Sequence, residues 1–192
     1  MTRRFLFVLG SSRPDGNTEL LARTAAEQLP AGTEQEWFDL AEQPLPDFVD
    51  VRHDAEIPRP EGAAAHLLDA TLAATDLVIA SPLYWYSVSA QTKRYLDHWA
   101  GWLRLPGVDF KARMAGRTLW GVTALAHEEF EVADPLVGTL RNSAAYLGMR
   151  FGGVLLGNGS KPGDVRTDTE ALARAKTFFA QEAPLARFPY EH

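Results

Sequence analysis

The chain has 192 residues, 46% hydrophobic and 23% charged, which suits one soluble globular domain rather than two. Its 25 acidic and 19 basic residues leave a formal charge of -6, so a grip on nucleic acid or an anionic membrane has little electrostatic support. Cysteine is absent, which excludes disulfides, thiolate nucleophiles and cysteine-ligated metal centres; no metal site is expected, and redox chemistry would have to come from a bound cofactor.

Short apolar runs alternate with helical periodicity along the chain, the pattern of an α/β fold with a parallel sheet covered on both faces. Phe5 to Leu9 predicts a buried strand, too short for a signal core or a spanning helix, so a cytoplasmic protein without an integral membrane segment is expected. Gly10 and the polar turn Ser11 to Gly16 follow, and Asn17-Thr18 opens a helix with Leu20, Leu21, Ala25 and Leu29 on its buried stripe. Gln35 to Leu40 predicts the second strand. Ala41 to Glu61, with four prolines and many acids, predicts a long connection, either a functional loop or a mobile surface one. A helix over Ala63 to Ala74 leads to a third strand, Leu77 to Ala80, which Pro82 stops. The remaining elements are a helix over Ser89 to Trp102, a strand over Thr118 to Thr123, a helix over Val132 to Leu147, a strand over Phe151 to Leu156 and a closing helix over Thr167 to Glu182. Five strands and five helices make a single domain spanning residues 1–192.

Ligands of an open parallel sheet bind beyond the carboxyl ends of its strands, so the loops there are where chemistry is expected. Gly10-Ser-Ser-Arg-Pro-Asp-Gly-Asn-Thr18 offers hydroxyls and one arginine at the start of a helix, where unpaired N–H groups and the helix dipole favour a phosphate. An ordinary capped helix start is the bland alternative, since Asn and Ser cap helices in any protein. The turn is not a dinucleotide fingerprint, because Ser12 and Asp15 stand where glycines are needed, and it lacks the lysine of a nucleotide triphosphate loop. In Ser81-Pro-Leu-Tyr-Trp-Tyr-Ser-Val-Ser89, three consecutive aromatics cannot all face a core, so some must flank a cavity suited to a planar ligand.

Together these segments, above all Ser81 to Asp97, resemble the flavodoxin-like NAD(P)H-dependent oxidoreductases, which include NAD(P)H:quinone reductases and NADPH-dependent FMN reductases. The resemblance implies a flavodoxin-like three-layer sandwich with a five-stranded parallel sheet of order 2-1-3-4-5 and one noncovalent FMN. By this carry-over Ser11, Arg13, Asn17 and Thr18 hold the FMN phosphate, and Pro82, Leu83, Tyr84, Trp85 and Tyr86 run along the isoalloxazine. It also implies a homodimer, for which Tyr95, Trp99 and Trp102 offer an aromatic surface unless they pack the helix on the sheet. The loop Thr123 to Glu129 departs from the glycine-rich loop of many relatives, which leaves its flavin contacts open. NAD(P)H would be the donor and a quinone or flavin the acceptor, with Tyr86 or His127 delivering a proton; His127 in an acidic loop is otherwise simply solvated. Arg52, Arg59, Arg104 and Arg113 are equal candidates for a nucleotide 2′-phosphate. The competing reading is a flavodoxin-type electron carrier. A phosphorylation receiver is discounted because Leu9-Gly10-Ser11 lacks an acidic pair.

Overall fold

The computed structural model describes residues 2–51, 53 and 56–190. Five parallel strands, β1 (Arg4–Leu9), β2 (Glu34–Asp39), β3 (Asp76–Ala80), β4 (Thr118–Leu125) and β5 (Arg150–Asn158), form one sheet in the order β2-β1-β3-β4-β5. The register runs unbroken through Leu9↔Asp39 and Leu9↔Ala80, and one irregularity separates the pairs of Leu119 and Gly121. β1 and β3 are central, so their apolar runs are buried on both faces.

Helices α1 (Asn17–Ala26) and α6 (Thr169–Ala175) cover one face over a cluster that includes Phe5, Phe7, Trp120 and Leu155. Helices α2 (Gly62–Ala73), α3 (Ala90–Trp102), α4 (Phe110–Met114) and α5 (Asp134–Tyr146) cover the other, over Leu6, Val8, Leu77, Ile79 and Leu119. The alternation of neighbouring residues between the two clusters is the period of two of a strand. Trp120 is buried with its Nε1 donating to Asp76 Oδ1 at 2.9 Å, and its ring occupies the place a Cβ on Gly152 would take, 2.0 Å away. None of the described helices is long and apolar enough to cross a membrane.

Three expectations need correction. The closing helix ends at Ala175, and Phe178 and Phe179 follow in a tight 3-10 turn. Both rings are buried against Trp120, and Phe179 also meets Phe5 and Phe7. α4 escaped the pattern because five residues carry barely one helical period. Tyr95, Trp99 and Trp102 are 0%, 5% and 2% exposed: the three rings form part of the core beneath α3 and offer no dimer surface.

The connection after β2 has no helix or strand among its described residues. Its first part is tied to α3 by the Arg94–Asp47 ion pair at 2.9 Å, the His98 Nε2 contact with the Pro46 carbonyl at 2.9 Å and the burial of Leu45.

Candidate active site

The connections of β1 and β3 leave toward opposite edges of the sheet, and the crevice this opens lies at their carboxyl ends. A cleft of about 260 Å3 occupies it. Four loops line it: Ser11, Arg13, Gly16, Asn17 and Thr18 after β1; Pro82, Leu83 and Tyr84 after β3; Ala124, Leu125 and Ala126 at the end of β4; and Gly159, Ser160 and Pro162 after β5. The last loop was not anticipated, although Gly157-Asn-Gly-Ser-Lys-Pro-Gly163 carries the glycine, serine and proline signal of a turn at a strand end.

At the β1 side, α1 starts at Gly16, whose extended backbone has no side chain with which to cap the helix. The N–H groups of Gly16, Asn17 and Thr18 meet no acceptor among the described residues. Ser89 caps α3 by accepting from Thr92 N and Asp168 caps α6 by accepting from Ala171 N, whereas α1, like α2, α4 and α5, has no side-chain cap. The helix that borders the cleft is therefore not an ordinary capped one. Arg13 is exposed and its guanidinium has no partner among the described residues. Glu19 in the first turn is held by Arg23 at 2.7 Å, so its negative charge is compensated.

The polar side chains here shape the loops rather than point freely into the cleft. Ser11 Oγ accepts from Arg13 N at 3.1 Å and donates to the Arg13 carbonyl at 3.0 Å, closing the turn. Asn17 Nδ2 donates to the Lys161 carbonyl at 2.8 Å, while its Oδ1 accepts from Gly163 N at 2.9 Å, so this side chain braces the loop after β5. Thr18 is buried, and its Oγ1 accepts from Ala124 N at 3.2 Å, fastening α1 to β4.

At the β3 side, Tyr84 and Ser87 exchange backbone hydrogen bonds of 3.0 and 3.1 Å around a two-residue hairpin turn. Its central residues, Trp85 and Tyr86, have φ of 48° and 64°. Such a turn ordinarily takes Asn-Gly, because both positions are left-handed. Two bulky aromatics there store on the order of 1–3 kcal/mol each, the kind of strain that collects at functional sites. Trp85 is 92% exposed, and Tyr84 and Tyr86 about half exposed. Trp85, Tyr86 and Leu83 face Leu125, Ala126 and His127 across a second cleft of about 260 Å3, which shares Leu83, Leu125 and Ala126 with the first. The His127 carbonyl accepts from Asn158 Nδ2 at 2.7 Å, fixing the backbone beneath an exposed imidazole.

The two loops meet at Gly10. A Cβ there would lie 1.9 Å from Thr92 Oγ1 and 2.9 Å from Ser89 Oγ, the groups that cap α3, while Ser81 Oγ accepts from Ser89 N at 2.9 Å. Only glycine allows β1 to end this close to the start of α3.

Ser11, Arg13, Asn17, Thr18, Pro82, Leu83 and Tyr84 are thus brought to one cleft, and Trp85, Tyr86 and His127 to its continuation. Arg59, Arg104 and Arg113 line neither cleft, and Arg52 falls outside the described residues. The loop after β4 reaches both clefts through small and apolar residues despite having no glycine. Uncapped helix N–H groups beside a free guanidinium suit a phosphate, and a cleft between Trp85 and Tyr86 on one side and Leu125 and Ala126 on the other suits a ring system; the residues present fit FMN.

Comparison with known proteins agrees with this fit. The chain is 31% identical over 169 residues to a Bacillus subtilis protein named as an NAD(P)H-dependent FMN-containing oxidoreductase, YwqN, covering 86% of this chain and 91% of that one. Among solved structures, the Trp repressor binding protein from Bacillus subtilis superposes with a TM-score of 0.75 at 24% identity, covering 93% of this chain and 99% of that one. An NAD(P)H:quinone oxidoreductase from Methanothermobacter marburgensis superposes with a TM-score of 0.69 at 17% identity, covering 92% and 96%. These two likenesses show the flavodoxin-like fold. The model of the NADPH-dependent FMN reductase family matches residues 3–151. The chain belongs to that family and is an FMN-dependent oxidoreductase with NAD(P)H as its electron donor.

Proposed function

We propose that this oxidoreductase carries electrons from NAD(P)H, through FMN, to a quinone or a similar small acceptor, donor and acceptor taking turns at one face of the site. The observation that carries this reading is the open second cleft: Trp85 stands 92% exposed beside apolar space bounded by Leu125, Ala126 and His127. A flat second molecule buries area there that a carrier serving only protein partners has no need to offer. The quinone in the name of the Methanothermobacter protein supports the same acceptor class.

In this reading Arg13 and the free N–H groups of Gly16, Asn17 and Thr18 hold the phosphate, with Ser11, Asn17 and Thr18 keeping the turn in shape through their side chains. Pro82, Leu83, Tyr84, Trp85 and Tyr86 flank the ring. FMN held there would supply the redox chemistry between the nicotinamide and the acceptor. The Tyr86 hydroxyl and the His127 imidazole border the acceptor's space, where either can deliver a proton to a quinone oxygen. The loops would orient the reactants, and no further acid or base is required.

The test is NAD(P)H oxidation by purified protein with a water-soluble quinone or free FMN as acceptor. Turnover supports the enzyme; bound FMN without turnover supports the electron carrier. Tyr86→Phe and His127→Ala are each expected to lower quinone reduction about tenfold with FMN still bound, less than the roughly hundredfold of a sole proton donor because the other group remains. Equal loss of FMN would assign them a structural role. The protein is further proposed to be a single cytoplasmic domain that acts as a homodimer. The groove of Leu96, Leu103 and exposed Tyr146 between α3 and α5 is the face that supports dimerisation, checked by sedimentation.

A further inference from the structure

At the opposite end of the sheet, where the strands begin, a basin of about 650 Å3 is lined by four arginines, Arg3, Arg113, Arg117 and Arg150. Such a cluster runs against the formal charge of -6 of the chain. One carboxylate, Asp76, lies on its wall, and it is already engaged. It is 3% exposed, receives Arg3 through two contacts of 2.5 and 3.0 Å, and accepts from Thr75 Oγ1 and Trp120 Nε1. Arg3 and Asp76 therefore neutralise each other, and the other three positive charges have no carboxylate partner among the described residues.

Those three are held in different ways. Arg150 Nη1 donates to the Ala183 carbonyl at 2.9 Å; Arg117 donates to the carbonyls of Ala74 and, at 2.5 Å, Arg113. Backbone carbonyls fix a guanidinium in place without cancelling its charge, and each fork keeps donors to spare. The Arg113 side chain makes no hydrogen bond or ion pair among the described residues. Burial and the neighbouring Arg113 both hold Arg117 below the usual arginine range, so two like charges crowd one wall. Exposed Ala115 gives the basin a small apolar side.

We propose that this basin binds a small organic oxyanion with two or more negative charges, a phosphate ester or a polycarboxylate. Arg113, Arg117 and Arg150 grip its charged groups, and its carbon frame rests on the apolar side. Five residues of β3 at about 3.3 Å each separate this basin from the FMN cleft by on the order of 17 Å, so both sites can be filled at once.

The experiment is calorimetric titration of FMN-saturated protein, at physiological ionic strength, with inorganic pyrophosphate and separately with citrate. Submillimolar binding of either is expected, and the tighter of the two identifies phosphate ester or polycarboxylate as the ligand class. Arg113→Glu and Arg150→Gln are each expected to weaken it about tenfold or more, the scale of one lost charge-assisted hydrogen bond. Arg113 supports no other residue through its side chain, so the first variant is expected to fold as the parent does. No binding of either anion overturns the proposal. So does binding that survives both substitutions, since the anion would then sit elsewhere than in this basin.

Discussion

At the Arg13 end of the cleft the chain is held by satisfied hydrogen bonds from Ser11, Asn17 and Thr18, while the helix N–H groups and one guanidinium are left for a ligand. At the Trp85 end two backbone bonds hold a turn whose central aromatics have positive φ and stand in solvent. The first end is fixed by the protein's own hydrogen bonds, which suits recognition of a charged group because donors that must reorient give back much of what they contribute. The second carries conformational strain and exposed ring area that a stacked ligand would offset by covering the aromatics. In the proposed reading, anchoring and chemistry are divided between a polar end and an open aromatic one.

The junction of the two ends is the most sensitive point. Gly10→Ala is expected to cost about 3 kcal/mol of stability, measured by urea denaturation, and to abolish FMN binding, because its methyl collides with the cap of α3. Unchanged stability would mean that the two loops are not coupled there. Next in size, Arg13→Ala removes a charge-assisted contact worth about 2 kcal/mol, so the FMN dissociation constant is expected to rise about thirtyfold. The melting temperature of the ligand-free protein should not move, since that guanidinium has no partner in the fold. The smallest effect belongs to the other end. Tyr86→Gly is expected to raise the stability of the ligand-free protein by about 1 kcal/mol by relieving a left-handed aromatic, while weakening FMN binding several-fold. A loss of stability instead would show that the turn is not strained.

Much of the fold could be read from Phe5–Leu9, Leu77–Ala80 and the other apolar runs, because strands buried on both faces leave a continuous apolar signature. The order of the strands came from the resemblance, since periodicity says nothing about neighbours. What the sequence could not disclose was geometry over distance. Tyr95, Trp99 and Trp102 fit a surface as well as a core until α3 is set on the sheet. Asn17 looked like a phosphate donor, and its role as the brace of the loop after β5 depends on a partner 144 residues away. The left-handed turn at Trp85-Tyr86 was hidden because its residues are the opposite of those such turns select. The arginines around Asp76 are scattered from position 3 to position 150 and gather only when the strand starts align.

The division between an anchoring end and a ring end is tested most directly by comparing the affinities of FMN and riboflavin, which lacks the phosphate, in the parent protein, Arg13→Ala and Trp85→Ala. Arg13→Ala should lower FMN affinity while leaving riboflavin nearly unchanged, and Trp85→Ala should weaken both ligands by the same factor. Riboflavin affinity that falls in Arg13→Ala as steeply as FMN affinity would contradict the assignment of the phosphate to the start of α1.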